Sequence, residues 1–181
     1  MKNVMLLSTG LELGGAESQV VSLACEFKER GLANPVVVSL LPCETPLARR
    51  LRGAGIAVET LGMEKGKPNP AALLRLRRLV KKYDVRLIHS HLFHANVLAR
   101  LLKLTMPKLR LVCTIHTVRF GGPIRERLLK FTDRLADVTT VISGHAREHF
   151  IRRGVVTPGR SMHVPNGIRC AAYAGEISEE A

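Results

Sequence analysis

Two short apolar runs of this 181-residue chain end in histidine, and a glycine pair stands just beyond a third. His89 and His91 close the run over residues 85–90, with His94 and Asn96 a few positions on. Alternation along a strand puts His89 and His91 on the same side. The segment is expected to supply polar groups to a substrate cleft, with His91 and His94 facing one pocket, while His89 also reads as a half-buried histidine satisfied inside the core. A zinc site requires three or four ligands, and no acid stands close by in sequence, so no metal is expected. His116 ends the run over residues 109–116, among Thr114, Thr117 and Arg119. An imidazole with an unperturbed pKa of ~6.5 can donate a hydrogen bond to an incoming hydroxyl or oxyanion.

The loop Gly10-Leu11-Glu12-Leu13-Gly14-Gly15-Ala16-Glu17 admits two readings. Glycines let backbone N–H groups approach an anion, and a helix start favours negative charge. The same pair also serves a tight turn between a strand and a helix. The dinucleotide fingerprint G-x-G-x-x-G is missing, the second strand ends Ser39-Leu40-Leu41-Pro42 without an acid for a ribose, and no Gly-Lys-Ser/Thr phosphate loop occurs. A nucleotide-cofactor oxidoreductase is therefore disfavoured.

The elements that must position these groups alternate in type. Strands are expected over residues 3–9, 36–41, 56–61, 85–90, 109–116, 138–142 and 162–165. Between them lie helical patterns. The first carries Ala16, Val20, Leu23, Ala24 and Phe27 on one face and stops at Gly31; a short basic helix covers residues 45–54. Leu73, Leu76, Val80 and Tyr83 form the stripe of a third helix. Leu92, Ala95, Leu98, Ala99 and Leu102 point inward from a fourth. Gly121-Gly122-Pro123 starts a fifth, with Ile124, Leu128, Phe131 and Leu135 as its expected buried face. Ser143 caps a sixth that Gly154 ends. This rhythm is that of parallel βαβ units in an α/β, Rossmann-like doubly wound sheet, whose ligand sites gather at the carboxyl ends of the strands. Four informative segments fall there: Gly10 to Glu17, His89 to Asn96, His116 to Gly122 and Ser143 to His145.

A formal net charge of +13 points to nucleic acid, an anionic membrane surface or anionic small molecules. The cations are dispersed, Trp is absent and aromatic content is 4%, so the stacking platforms of nucleic-acid binders are missing. The densest cluster, Arg75, Arg77, Arg78, Lys81 and Lys82, reads as a solvated helix face or as a contact with a membrane surface. No run approaches the roughly 20 apolar residues of a spanning helix, and the amino terminus reads as a strand instead of an export signal. Cys25, Cys43, Cys113 and Cys170 show no metal or disulfide spacing and suit a reducing, cytoplasmic setting.

Together Gly14-Gly15-Ala16-Glu17, His89-Ser90-His91, Thr114-Ile115-His116, Val141-Ile142-Ser143 and Val164-Pro165-Asn166-Gly167-Ile168 resemble the N-terminal domain of family 4 glycosyltransferases. The resemblance implies one half of the two-domain GT-B architecture, with residues 1–168 as the acceptor-side domain and residues 169–181 as the start of a hinge or a truncated tail. It implies retaining transfer from a nucleoside diphosphate sugar to a cell-envelope or polysaccharide-type acceptor, glycan or lipid-linked, without metal or other cofactor. No carboxylate stands at a strand end as a nucleophile, which suits that family. His116 would lie by the transferred sugar, and Gly14 and Gly15 would approach the donor diphosphate. Glu17, His91, His94, Asn96 and Thr117 would line the acceptor side. The donor-binding domain is expected to lie outside this chain, leaving the isolated chain inactive. A non-catalytic module that binds an acceptor or a partner chain stays open as the alternative.

Overall fold

Aliphatic and β-branched runs such as Val36-Val37-Val38 are buried on both faces, as the strands of a parallel sheet covered by helices must be. The computed structural model describes residues 2–67, 69–117 and 121–168; Arg119, Cys170 and the expected hinge over residues 169–181 lie outside them. In chain order the elements are β1 (Asn3–Ser8), α1 (Gly15–Glu29), β2 (Asn34–Ser39), α2 (Pro46–Gly53), β3 (Ala57–Thr60), α3 (Ala71–Lys82), β4 (Leu87–His91), α4 (Phe93–Thr105), β5 (Arg110–Ile115), α5 (Pro123–Thr132), β6 (Val138–Val141), α6 (Gly144–Arg152) and β7 (Ser161–His163). The strands form one parallel sheet in the order β3-β2-β1-β4-β5-β6-β7.

Right-handed crossovers determine which helix lies on which face. The chain winds outward one way from β1 through β2 to β3, then returns past β1 and winds the other way from β4 to β7. Val4, Leu6 and Val37 therefore pack under α1 and α2. Met5, Leu7, Val36 and Val38 pack under α3 and α4 on the opposite face. Ile115 and Val141 continue that second face under α5 and α6, with Leu129, Ala146 and Phe150. Local signals set the helix ends. Thr45 accepts the Ala48 N–H at 3.2 Å and Ser143 accepts that of Ala146 at 3.4 Å, both as side-chain caps. Gly31 (φ 62°) and Gly154 (φ 66°) end α1 and α6 in the left-handed conformation that glycine adopts without a Cβ clash.

One expected face is reversed. Ile124 and Phe131 are 78% and 73% exposed, and the residues that α5 buries are Leu129 and Thr132. The reason is Arg100 of α4, which is fully buried. It donates to the Leu129 carbonyl at 3.0 Å and to Thr132 Oγ1 at 3.1 Å, and stands 3.7 Å from Asp133. A buried guanidinium needs those oxygens, and supplying them turns the apolar stripe of α5 outward.

Candidate functional site

The winding leaves one part of the sheet without a helix above it among the described residues. On the α1 side, α1 and α2 cover β1 to β3, whereas β4, β5 and β6 present His89, His91, Thr114, His116 and Thr140 to an open cleft of about 460 Å³. Its walls are the flank of α1, from Gln19 through Ser22 and Glu26 to Arg30, and the segment over residues 164–168. That segment is held in place by paired hydrogen bonds. Gln19 Nε2 donates to the Gly167 carbonyl at 2.8 Å, and the Gly167 N–H donates to Gln19 Oε1 at 3.0 Å.

The floor of the cleft is a connected polar row. His91 pairs with Thr114 in the β4–β5 register, and His116 follows two residues beyond, past the end of β5. Nδ1 of His91 lies 3.0 Å from Nε2 of His116. The rings of His89 and His91 lie with centroids 4.1 Å apart, tilted by 36°. His89 Nε2 lies 2.6 Å from Thr114 Oγ1, itself 2.6 Å from Thr140 Oγ1. His89 is thus the satisfied, half-buried histidine expected. Nε2 of His91 and Nδ1 of His116 are buried without a hydrogen-bond partner, an uncommon state for a polar atom.

Burial keeps these rings neutral, since desolvation disfavours the imidazolium. It lowers His89 to about 4, with the neighbouring His116 as the second cause. His91 is pushed well below the usual histidine value by burial, then by His89 and His116, and His116 is lowered by burial. A neutral ring offers one donor and one acceptor. If His91 donates from Nδ1, the proton of His116 sits on Nδ1, its unpartnered atom.

Not every expected residue joins this row. His91 and His94 do not share a pocket. Between them Leu92 adopts φ 71° and ψ 161°, and the chain crosses the end of β4, so that exposed His94 borders a separate groove under α3 and α4. Its pKa is lowered by burial and by the Arg125 charge. Asn96 does not line the acceptor side in this structure: it is 1% exposed, donating to the Thr114 carbonyl at 2.9 Å and accepting from Ser90 Oγ at 2.7 Å. Both ends of its amide are committed to the core. Thr117 is exposed just past β5.

Gly14 and Gly15 begin α1 with no side-chain cap. Gly14 is extended (φ −163°), and a Cβ on Gly15 would meet open space, so neither glycine is demanded by backbone geometry. Glu17, three positions after the cap, folds its carboxylate back over Gly14, where the positive end of the helix favours it. No cluster of metal-ligating groups occurs among the described residues, and no described helix is long and apolar enough to cross a membrane. Gln19 went unnoticed in the sequence. Its signal is a stripe at helical spacing, Gln19, Ser22, Glu26 and Arg30, beside the apolar face of the same helix.

The family model described as Glycosyltransferase Family 4 matches residues 13–172. No curated protein matches the chain significantly. Among solved structures, a glycosyltransferase from Rickettsia africae superposes with a TM-score of 0.73 at 16% identity, covering 99% of this chain and 47% of that one. Anabaena HepE, solved with UDP and glucose, gives 0.71 at 17% identity, covering 94% and 46%. The UDP-GlcNAc 2-epimerase of Neisseria meningitidis, bound to UDP-GlcNAc, gives 0.63 at 12%, covering 92% and 47%. Identities this low speak for the fold, and the chain spans about half the length of these structures.

Proposed function

The chain belongs to glycosyltransferase family 4, and from that premise we propose that it forms the acceptor-side half of a retaining transferase that moves a sugar from a nucleoside diphosphate to a cell-envelope or polysaccharide-type acceptor. The observation that carries this reading is the neutral His91–His116 pair at the carboxyl edge of the sheet, with an unpartnered nitrogen at each end. His116 is the catalytic residue. As charge develops on the reacting sugar, a preoriented N–H stabilises it without the reorganisation that water requires. His91 positions that ring by fixing its tautomer.

This reading divides the labour between two domains. Gly14 and Gly15 bring the start of α1 to the donor diphosphate, while a second, donor-binding domain supplies most contacts to the nucleotide. Glu17, His94 and Thr117 lie toward the acceptor. No metal or other cofactor is required, because helix starts and basic side chains neutralise the leaving diphosphate. The site is cytoplasmic, with exposed cations of α3 such as Arg78 and Lys81 making a peripheral contact to the inner face of the membrane that salt weakens.

Calorimetry of the 181-residue chain with UDP-glucose and UDP-N-acetylglucosamine tests the arrangement. Weak or undetectable binding is expected. A dissociation constant in the low micromolar range for either would place the donor site within this chain and overturn the reading.

A further inference from the structure

A second cavity, of about 570 Å³, opens on the other side of the β4 end, under the start of α3 and along α4. Its volume falls in the range of about 300 to 1,000 Å³ typical of small-molecule sites. Leu41, Met63, Leu73, Phe93, Leu98 and Leu101 form its wall, and nothing in the described chain fills it. Leu101 and Leu128 are 40% and 38% exposed at its margin, which continues into the outward stripe of α5. An apolar concavity of this kind asks for an apolar guest.

Its mouth carries charges of both signs with a positive excess. Lys65, Lys67 and Glu64 border the groove. Glu64 pairs with Lys67, and Lys65 makes no ion pair among the described residues, so the rim keeps a net positive charge. The turn at Leu92 joins the groove to the histidine cleft. Its φ of 71° with ψ of 161° belongs to a region that residues with a Cβ rarely occupy, and strain of this kind persists where the surrounding structure enforces it, often at ligand sites. The effect is that one residue separates His91 in the cleft from Phe93 and His94 in the groove.

We infer that the acceptor is an anionic amphiphile: its single hydrocarbon chain occupies the groove, its phosphate pairs with Lys65 at the mouth, and its sugar-accepting end reaches over Leu92 to His116. This rests on the transferase reading above and names the acceptor's chemical class. The chain is taken up as one molecule; the groove is not a docking patch for a bilayer.

The test is calorimetric binding of monomeric octyl, decyl and dodecyl phosphate, below their micelle-forming concentrations, to the 181-residue chain. Each added methylene should tighten binding by about threefold until the groove is full. Leu101→Gln and, on the far wall, Leu128→Gln should each weaken dodecyl phosphate about tenfold with unfolding temperatures unchanged. Replacing Lys65 by Gln should weaken octyl phosphate while leaving octyl glucoside unaffected. A flat chain-length series, equal binding by both groove variants, or binding only to anionic phospholipid vesicles would each overturn the inference. The two readings fail separately. Sugar transfer to water-soluble acceptors by a form carrying a donor-binding domain, with no amphiphile uptake, would remove the groove proposal alone; amphiphile uptake without any sugar transfer would sustain the groove and remove the transferase.

Discussion

His91 and His116 share one hydrogen bond, 3.0 Å long, across the carboxyl ends of β4 and β5. One ring must donate and the other accept, so the pair couples the tautomer of each histidine to the other. A polar contact on His116 Nδ1 therefore selects the protonation of His91 Nε2 on the far side.

His116→Ala, made in a form of the protein that carries a donor-binding domain, should lower turnover by roughly 10² or more. Thermal unfolding should shift little, because His116 is only half-buried. A destabilised variant with near-normal turnover per folded molecule would show His116 to be structural and refute its catalytic role.

Stability should fall in mild acid. His89 titrates at 6.5 when unfolded and at about 4 when folded, so between those values the unfolded chain binds more protons. The stabilisation is complete above pH 6.5 and is lost as the pH drops toward about 4, amounting to about 3 kcal/mol for this residue. His91 and His116 act in the same direction. Urea unfolding at a series of pH values measures the slope, and His89→Gln should flatten it. A wild-type stability independent of pH over that window would contradict the neutral assignment.

Arg100→Met should cost about 3 to 5 kcal/mol in denaturant unfolding, the usual result of stripping one partner from a buried charged network. Asp133 keeps Thr139 and Thr157 as donors, but the Leu129 carbonyl and Thr132 lose the guanidinium. A change below about 1 kcal/mol would mean that α5 holds its orientation without Arg100.

Gln19→Ala should leave global stability within about 1 kcal/mol, since the paired bonds to Gly167 are solvent-exposed. The Gly167 amide should nevertheless exchange its hydrogen faster, selectively over neighbouring amides of β6. Unchanged exchange at Gly167 would show that the segment is held by other contacts.

Much of this was legible in the sequence. Strand patterns around Val36 and Leu111, the Thr45 and Ser143 caps and the glycines after α1 and α6 are local features, and they led to the seven-stranded α/β sheet. The shared side of His89 and His91 follows from strand alternation alone. Asn96 and Arg100 were not legible as core residues, because an apolar-periodicity reading passes over polar groups on the inward stripe. They sit one helical turn apart, directly after the inward Ala95 and Ala99, and only the partners across the sheet and in α5 reveal them. The α5 stripe of Ile124, Leu128 and Phe131 is real, but periodicity says that a face is apolar without saying what covers it. Leu92 gave no signal, as a leucine does not mark a position of positive φ.

The sheet order has a consequence in time. β1 lies between β2 and β4, so the earliest strand of this sheet is a central one. Its pairing with β2 can form once residue 39 has emerged, but its other edge waits for residues 87–91. At synthesis rates of roughly 5 to 20 residues per second, the fully apolar edge of Met5, Leu6 and Leu7 stays unpaired on the nascent chain for a few seconds to about ten. A strand edge of that kind is a site for misassociation with other chains until β4 covers it.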